Sequence, residues 1–385
     1  MKKGWQTKRL GDVCEIIKGR KPALKATATN GDLPYLVAKV MRGSKEAEYA
    51  SVKDRNSITV EESETIIICD GSNSGEVFTG FRGILSSTMG KIAKKAEIDD
   101  DYLRAFLAST FDVFNGAKTG AAIPHLDKEA MYQLQFPFPP LAEQQRIVGL
   151  LDEAFEGLAT AKANAEMNLQ NARALFESHL QSVFTQCGPL ALLSDLADEV
   201  TDGDHSPPPK APTGVPFITI SDIDKRTGTI DFSNTFTVPE TYFCGLKPSK
   251  KPRVGDVLYT VTGATLGIPI LVREQRDFCF QRHIGLIRPN ATTDSSWLTY
   301  ALRSPQVFRQ ATIGSTGAAQ KTVSLGVLRS LQLPKVKLAE QKQIAAKLDS
   351  LHEETQRLAR IYERKLAALA ELKKSLLHQA FTGEL

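Results

Sequence analysis

The feature that most constrains this chain is a repeat. Leu141-Ala142-Glu143-Gln144 recurs 197 positions later as Leu338-Ala339-Glu340-Gln341, and self-similarity at one offset decides how every other segment must be read. At the same offset Thr119-Gly120-Ala121-Ala122 recurs as Thr316-Gly317-Ala318-Ala319, Leu134-Gln135 as Leu331-Gln332, Ile147 as Ile344, Leu151-Asp152 as Leu348-Asp349, and Phe184-Thr185 as Phe381-Thr382. Farther upstream the match persists with small slips: Leu10-Gly11-Asp12 resembles Leu193-Ser194-Asp195, and Leu33-Pro34-Tyr35-Leu36 resembles Val215-Pro216-Phe217-Ile218. The 385 residues therefore read as one unit written twice. Each copy is a variable mixed segment followed by a helix-like one, with expected boundaries 1–140, 141–187, 188–337 and 338–385.

The helix-like segments carry a heptad seam. Positions 147, 151, 154, 158, 161, 165, 168, 172, 175 and 179 alternate steps of four and three, and are mostly apolar. The equivalents Ile344, Leu348, Leu351, Thr355, Leu358, Tyr362, Lys365, Leu369, Leu372 and Leu376 repeat the phase. One such stripe reads as an amphipathic helix on a core; two of equal length and phase, flanked by charges, predict a coiled coil. Asn168 falls level with Lys365 and serves as a polar alignment device in that reading. Pro137, Pro139 and Pro140 precede the first helix, Gly188-Pro189 closes it, and Gly383 closes the second. About 45 residues at 1.5 Å each make a rod of roughly 65 Å. The expected arrangement is an antiparallel pair acting as a spacer between two domains.

The variable segments read as α+β. Thr65 to Ile68, Phe217 to Ile220, Val257 to Thr260 and Ile284 to Ile287 are short apolar runs bounded by Gly, Asp and Pro, hence strands. Tyr102 to Ser109 and Trp297 to Arg303 read as helices. One curved sheet with a few helices is expected in each half.

Composition narrows the function classes. With 42% hydrophobic and 24% charged residues the chain is ordinary globular material, and it lacks the run of about 18 apolar residues that a membrane span needs. The start reaches Gln6, Lys8, Arg9 and Asp12 before any apolar run, so no secretory leader is expected and the cytoplasm is the expected location. Cys14, Cys69, Cys187, Cys244 and Cys279 form no CxxC pair, which predicts buried reduced thiols, with no disulfide framework and no metal site. A net charge of +4 from 48 basic and 44 acidic residues is too balanced to coat nucleic acid by charge alone, yet permits a nucleic-acid partner.

Catalytic signatures are missing. A phosphate-cradling GxxxxGK[ST] fails because Leu85 stands where Gly90-Lys91 needs its first glycine. HExxH and GxSxG do not occur. Phe136-Pro137-Phe138-Pro139-Pro140 has no Asn or Asp ahead of its prolines to accept an amine proton, and the carboxylate-x-cation runs Glu363-Arg364-Lys365 and Glu371-Leu372-Lys373 read as solvated helix faces. No catalytic residue is expected.

What remains are loops and cations at equivalent places. Asp70-Gly71-Ser72-Asn73-Ser74-Gly75 corresponds to Val261-Thr262-Gly263-Ala264-Thr265-Leu266-Gly267; such loops are hairpin turns structurally, and functionally they bring N–H groups and short hydroxyls to a phosphate. Lys118 and His125 lie near one Thr-Gly-Ala-Ala copy, and Gln320, Lys321 and Thr322 near the other; Arg, Lys, Gln and Asn are the side chains that read purine edges. Basic clusters include Lys18, Arg20, Lys21 and Lys25, then Lys247, Lys250, Lys251 and Arg253, then Arg282-His283. Singly these are solubilising surface; beside duplicated small-residue loops they point to DNA. The candidate DNA contacts are Lys18, Arg20, Lys21, Ser72, Asn73, Ser74, Lys118, His125, His205, Lys210, Thr262, Thr265, Arg282, His283, Gln320 and Lys321.

This order resembles the DNA-specificity subunit of type I restriction-modification systems. The resemblance spans the whole chain and rests on the two Leu-Ala-Glu-Gln helix starts, the Thr-Gly-Ala-Ala pair, the Gly-Asp-Val-Leu-Tyr-Thr run from Gly255, and the Phe381-Thr382-Gly383-Glu384-Leu385 terminus. The first half departs where Glu64-Thr65 replaces Gly255-Asp256 and where its helix ends in Gln186-Cys187. The resemblance implies two target recognition domains reading a bipartite asymmetric double-stranded DNA target, with the helices docking partners through Leu141, Gln144, Phe184, Leu338, Gln341 and Phe381. It implies two methyltransferase subunits that bind S-adenosylmethionine and modify adenine N6, two restriction subunits that use ATP and Mg, and no cofactor in this chain. No membrane and no small-molecule substrate are expected. A stand-alone bipartite DNA-binding adaptor and a coiled-coil protein scaffold are the alternatives; a self-sufficient nuclease or methyltransferase is disfavoured.

Overall fold

The computed structural model describes residues 4–116, 125–185, 189–205, 208–224, 227–317 and 321–385. The chain divides into two units, Met1–Glu166 with Arg364–Leu385, and Met167–Glu363. The first is assembled from two separate stretches and the second from one continuous stretch, and each comprises a globular part plus pieces of both long helices.

The first unit runs in the order β1 (Gln6–Arg9), α1 (Leu10–Val13), β2 (Cys14–Lys18), β3 (Asp32–Leu36), α2 (Ala38–Met41), β4 (Tyr49–Ser51), β5 (Thr59–Val60), β6 (Ile66–Ile68), β7 (Val77–Phe78), β8 (Gly83–Leu85), β9 (Met89–Lys94), α3 (Asp100–Ser109), α4 (Phe111–Gly116), α5 (Lys128–Gln133), β10 (Gln135–Phe138) and the start of α6 (Leu141–Thr185). Its strands form three small sheets, β2-β9-β6-β7, β4-β3-β8-β5 and β1-β10. One curved sheet per half is thus corrected: the strands are too short and too often broken by turn residues to sustain one ladder, and they stack as small sheets instead. The three isoleucines of β6 explain the unbroken apolar run. Successive side chains point to opposite faces; Ile67 enters the core shared with α3 and α6, whereas Ile66 and Ile68 enter a second core with Leu36, Val60 and Leu85.

The second unit continues from the end of α6 with β11 (Leu190–Leu192), α7 (Leu193–Leu196), β12 (Ala197–Asp202), β13 (Val215–Ile218), β14 (Ile223–Asp224), β15 (Thr229–Ile230), β16 (Phe236–Val238), α8 (Glu240–Gly245), β17 (Val257–Thr260), β18 (Pro269–Leu271), β19 (Cys279–Phe280), β20 (Ile284–Pro289), α9 (Ser295–Arg303), α10 (Pro305–Ile313), α11 (Leu325–Arg329), β21 (Gln332–Pro334) and α12 (Leu338–Thr382). Its sheets are β12-β20-β17-β18, β16-β13-β19, β14-β15 and β11-β21. The division of labour in β6 is repeated by β17, where Val257 and Tyr259 face the core containing Trp297 and Leu258 faces the opposite one with Ile270 and Phe280.

A two-stranded ladder closes each domain where its long helix departs. Thr7 pairs with Pro137 in β1-β10 and Leu190 with Pro334 in β11-β21. Proline cannot donate to a ladder and is tolerated in such edge positions. The long helices α6 and α12 each span 45 residues, from Leu-Ala-Glu-Gln to Phe-Thr. They run antiparallel within each unit. In the first, Lys373 Nζ lies 5.0 Å over the Phe155 ring and Arg146 donates to the Leu385 carbonyl at 2.9 Å; in the second, Arg173 meets Glu363 at 2.8 Å and the Phe176 ring lies 4.8 Å from His352.

The heptad seam holds along most of each helix and then shifts by one residue. Ile147, Leu151, Ala165 and Ala172 are buried as expected, but Leu175 is 51% exposed and Phe176, Leu180 and Phe184 are buried instead. The same slip occurs at the equivalent place in α12, where Leu372 is 47% exposed while Leu377 and Ala380 are buried. An α-helix drifts by about 20° per heptad against a 3.5-residue repeat, so four heptads accumulate nearly one residue's rotation. The last turns also pack on a globular core rather than only on the partner helix: Phe176, Leu180 and Phe184 join Trp297 and Leu298, and Leu377 and Ala380 join Tyr102 and Phe106. Lys365 is exposed and Asn168 half-buried, so the alignment device expected there is a surface feature.

Candidate nucleic-acid interface

In each unit one set of loops is stitched together by backbone hydrogen bonds. In the first, Gly19 N donates to Met89 O (2.8 Å), Cys69 N and Asp70 N donate to Thr88 O (2.8 and 3.1 Å), and Leu126 N donates to Cys69 O (2.8 Å). In the second, Gly203 N donates to Ile284 O (3.3 Å), Val261 N to His283 O (3.0 Å) and Gly263 N to Lys321 O (3.1 Å). Asp70 bridges His125 and Thr262 bridges Thr322. The loop after the second strand of each half, the loop entering β9 or β20, the central hairpin loop and the segment ahead of α5 or α11 thus form one edge.

The hairpin loops share a backbone and differ in side chains. Gly71 and Gly75 have φ of 122° and 95°, and Gly263 and Gly267 have φ of 76° and 88°; all four lie in the left-handed region that favours glycine. The strands before and after are β6 and β7 in one case, β17 and β18 in the other. Close approach fixes two further glycines: a Cβ at Gly19 would overlap the Ser86 carbonyl, and one at Gly203 the Phe280 carbonyl.

The electrostatics of the two edges differ. In the first unit the Asp70 carboxylate receives Lys18 Nζ at 2.7 Å and His125 Nδ1 at 2.8 Å. Partial burial alone would push the Asp70 carboxyl up, but the hydrogen bonds and charges of Lys18 and His125 outweigh it and hold it below the usual value. In the second unit the carboxylate is Asp204, which accepts from the Tyr242 hydroxyl and from Lys250 Nζ at 3.2 Å; Lys250 also donates to Gly203 O at 3.1 Å. Burial, then the neighbouring Arg282 guanidinium, depresses the His283 pKa, favouring the neutral imidazole.

The sequence-predicted contacts divide by exposure. Arg20, Lys21, Ser72, His205, Lys210, Arg282 and Lys321 are exposed. Asn73 is half-buried with its amide between Ser72 O and Arg42 Nη2. His205 Nε2 lies 2.8 Å from Asp202 Oδ2, and Lys210 Nζ lies 4.9 Å over the Phe236 ring, on the β16-β13-β19 sheet rather than the loop edge. Ser74, Thr262 and Thr265 are buried inside the loops, and among the described residues the hydroxyls of Ser74 and Thr262 have no partner. Lys118 and Gln320 lie outside the described residues. Sequence spacing missed Asp204 and Tyr242, and named Asp70 and Lys250 only as members of a loop and a basic cluster without their partners, because nothing local links a carboxylate to groups tens of residues away.

The helix-start residues have internal duties. Gln144 and Gln341 are each 1% exposed and bond within their own unit. Phe184 packs 6.1 Å from Trp297, and Phe381 5.2 Å from both Tyr102 and Phe106. Leu141 is exposed and Leu338 half-buried. Among the described residues, no cluster of His, Cys, Asp and Glu could hold a metal ion and no helix is long and apolar enough to cross a membrane. Cys14, Cys69 and Cys279 are buried, and burial pushes the Cys69 thiol up to about 11. Cys244 is exposed, correcting the expectation for that thiol.

A family model described as the type I restriction modification DNA specificity domain matches residues 2–168 and 205–363. The type I restriction enzyme MjaVIII specificity subunit of Methanocaldococcus jannaschii is 26% identical over 404 residues, spanning 99% of this chain and 93% of that protein. The EcoBI specificity subunit of Escherichia coli is 22% identical, spanning 84% of this chain and 73% of that one. Among solved structures, a chain from a study of complex assembly and conformational transition of the type I R-M system matches with a TM-score of 0.76 at 21% identity, covering 100% of this chain and 99% of its own. The HsdS subunit from Thermoanaerobacter tengcongensis matches with a TM-score of 0.59 at 19% identity, covering 100% and 98%.

Proposed function

The chain belongs to the type I restriction-modification DNA specificity family, and from that premise we propose that it reads a bipartite asymmetric target on double-stranded DNA and positions enzymatic partners there. The observation that carries this reading is a pair of loop edges built on one backbone plan that expose different side chains, Arg20, Lys21 and Ser72 in the first unit and His205, Arg282 and Lys321 in the second. A shared scaffold presents each loop to a groove, and different side chains select different bases. The two half-sites therefore differ in sequence.

Arg20, Lys21, Arg282 and Lys321 are the side chains assigned to DNA, with Ser72, Asn73 and His205 beside them. The paired long helices act as the ruler between half-sites, whose centres lie about one helical turn, roughly 10 base pairs, apart. The chain itself is non-catalytic. Two methyltransferase subunits supply S-adenosylmethionine and methylate adenine N6, which requires the base to be flipped out of the stack; two restriction subunits supply ATP- and Mg-dependent translocation and cleavage. The complex acts in the cytoplasm against foreign DNA.

The test is to express the chain with the methyltransferase subunit encoded beside it in a methylation-free host and to map N6-methyladenine across the genome. A two-part asymmetric motif with a fixed gap is expected. A soluble complex that methylates nothing would favour the stand-alone adaptor. Exchange of residues 186–337 for those of a relative changes one half of the motif; a change in both halves would end the two-reader account.

A further inference from the structure

Within the second unit a cleft of about 640 Å³ opens between the β14-β15 hairpin, β18 with the segment after it, α9 and α12. Its size is that of a ligand or anchor pocket. Three guanidiniums, Arg273, Arg276 and Arg303, line it against one carboxylate, Glu274. Arg303 is already paired with Glu177 at 2.5 Å. Arg273 and Arg276 have no ion pair among the described residues, and both are exposed. Arg276 lies 4.3 Å over the Phe232 ring, so one face is occupied while its N–H fork stays open.

A further donor lies in the wall. His352 Nε2 is 2.8 Å from Gln356 Nε2; the amide can only donate, so the imidazole proton sits on Nδ1. That Nδ1 is buried and has no partner among the described residues. The floor is apolar, with Ile230, Phe232, Ile270 and Phe278 among the lining side chains.

We propose that this cleft receives an acidic segment of the methyltransferase partner, a carboxylate gripped by Arg273 and Arg276 and an adjoining apolar side chain laid on the Phe232 floor. The proposal rests on reading the chain as a subunit of that complex. Guanidinium forks match carboxylates in two parallel hydrogen bonds, and an apolar floor suits a peptide side chain, which a phosphate backbone lacks. The cleft begins at Gly267, where the loop edge assigned to DNA ends, and the two guanidiniums stand at its far side, Arg273 following Gly267 by six residues along and beyond β18, roughly 20 Å of extended backbone.

The experiment measures binding of the full chain to the purified methyltransferase subunit and, separately, to a target duplex. R273E/R276E is expected to weaken the protein complex by about tenfold or more, R273K/R276K by less because charge remains while the fork is lost, and both to bind DNA as the unsubstituted chain does. Unchanged partner binding by R273E/R276E would overturn the proposal. So would a loss of DNA affinity with intact partner binding, which assigns the cleft to phosphates. Failure of the unsubstituted chain to bind the methyltransferase subunit would overturn the subunit reading itself, an outcome visible before any variant is made.

Discussion

Gln144 Oε1 accepts the backbone N–H of Asp99 at 2.9 Å, and Asp99 is the residue whose carboxylate caps α3. The Gln144 amide donates to Pro139 O at 2.8 Å. Its equivalent Gln341 repeats the arrangement, accepting from Asp294 N at 2.7 Å and donating to Val336 O at 2.8 Å, and Asp294 caps α9. The most recognisable tetrapeptide of the sequence is therefore a staple that joins the first turn of a long helix to the cap of a domain helix.

Removing that staple takes the partner from a part-buried N–H in each unit and from a carbonyl that is buried at Pro139 and part-buried at Val336. Gln144→Ala is expected to destabilise the first unit, and Gln341→Ala the second, by about 1–3 kcal/mol each. Urea unfolding reads the change, and midpoints equal to that of the unsubstituted chain would remove the network from the stability account.

Two glycine substitutions should act in opposite directions. Gly203→Ala drives a Cβ into the Phe280 carbonyl and is expected to cost about 1–3 kcal/mol. Gly157→Ala, on α6 with nothing within 4 Å of the new Cβ, is expected to stabilise by about 0.5–1 kcal/mol. Thermal unfolding separates them; two shifts of one sign would refute the close-approach argument.

Acid should weaken the first unit through Asp70. The folded carboxyl is held below its ordinary value of 3.8, so in that region the unfolded chain binds more protons and stability rises with pH. The contribution is present above about 3.8 and is lost as pH falls through the lower folded value. Asp70→Asn should flatten this part of the Tm-against-pH curve. A curve of unaltered slope would show that Lys18 and His125 do not bias the titration.

Exposed cations at the loop edges should set salt dependence. Arg20→Ala, Lys21→Ala, Arg282→Ala and Lys321→Ala should each lower the slope of log K against log salt by about 1 where the side chain meets a phosphate. A residue that reads a base would instead relax preference at one position. Anisotropy titrations on target and scrambled duplexes distinguish the two. No effect from any of the four would move the interface elsewhere.

Much of the architecture was legible because it is written as period and repetition. The 197-residue offset located both long helices, whose 45-residue spans begin at Leu141 and Leu338, and the short apolar runs at 66–68 and 257–260 are strands. The equivalence of the loops at 70–75 and 261–267 shows in the glycine pairs Gly71/Gly75 and Gly263/Gly267, since paired glycines at positive φ are a local requirement that residue type announces.

Tertiary structure decided what depends on neighbours remote in sequence. The division into small sheets follows from which short strands find partners, and the one-residue slip that buries Phe176 and exposes Leu175 follows from helical drift and from the core at Trp297. Whether Ser74 or Thr262 faces a ligand or the interior cannot be read from a serine or threonine in a loop, because burial is set by what packs over it. The Asp70 clamp needs Lys18 and His125, and Asp204 needs Tyr242 and Lys250. Periodic and conformational demands act between adjacent residues and are visible in the sequence; pairing, burial and charge compensation act across space, and only the folded chain brings those partners together.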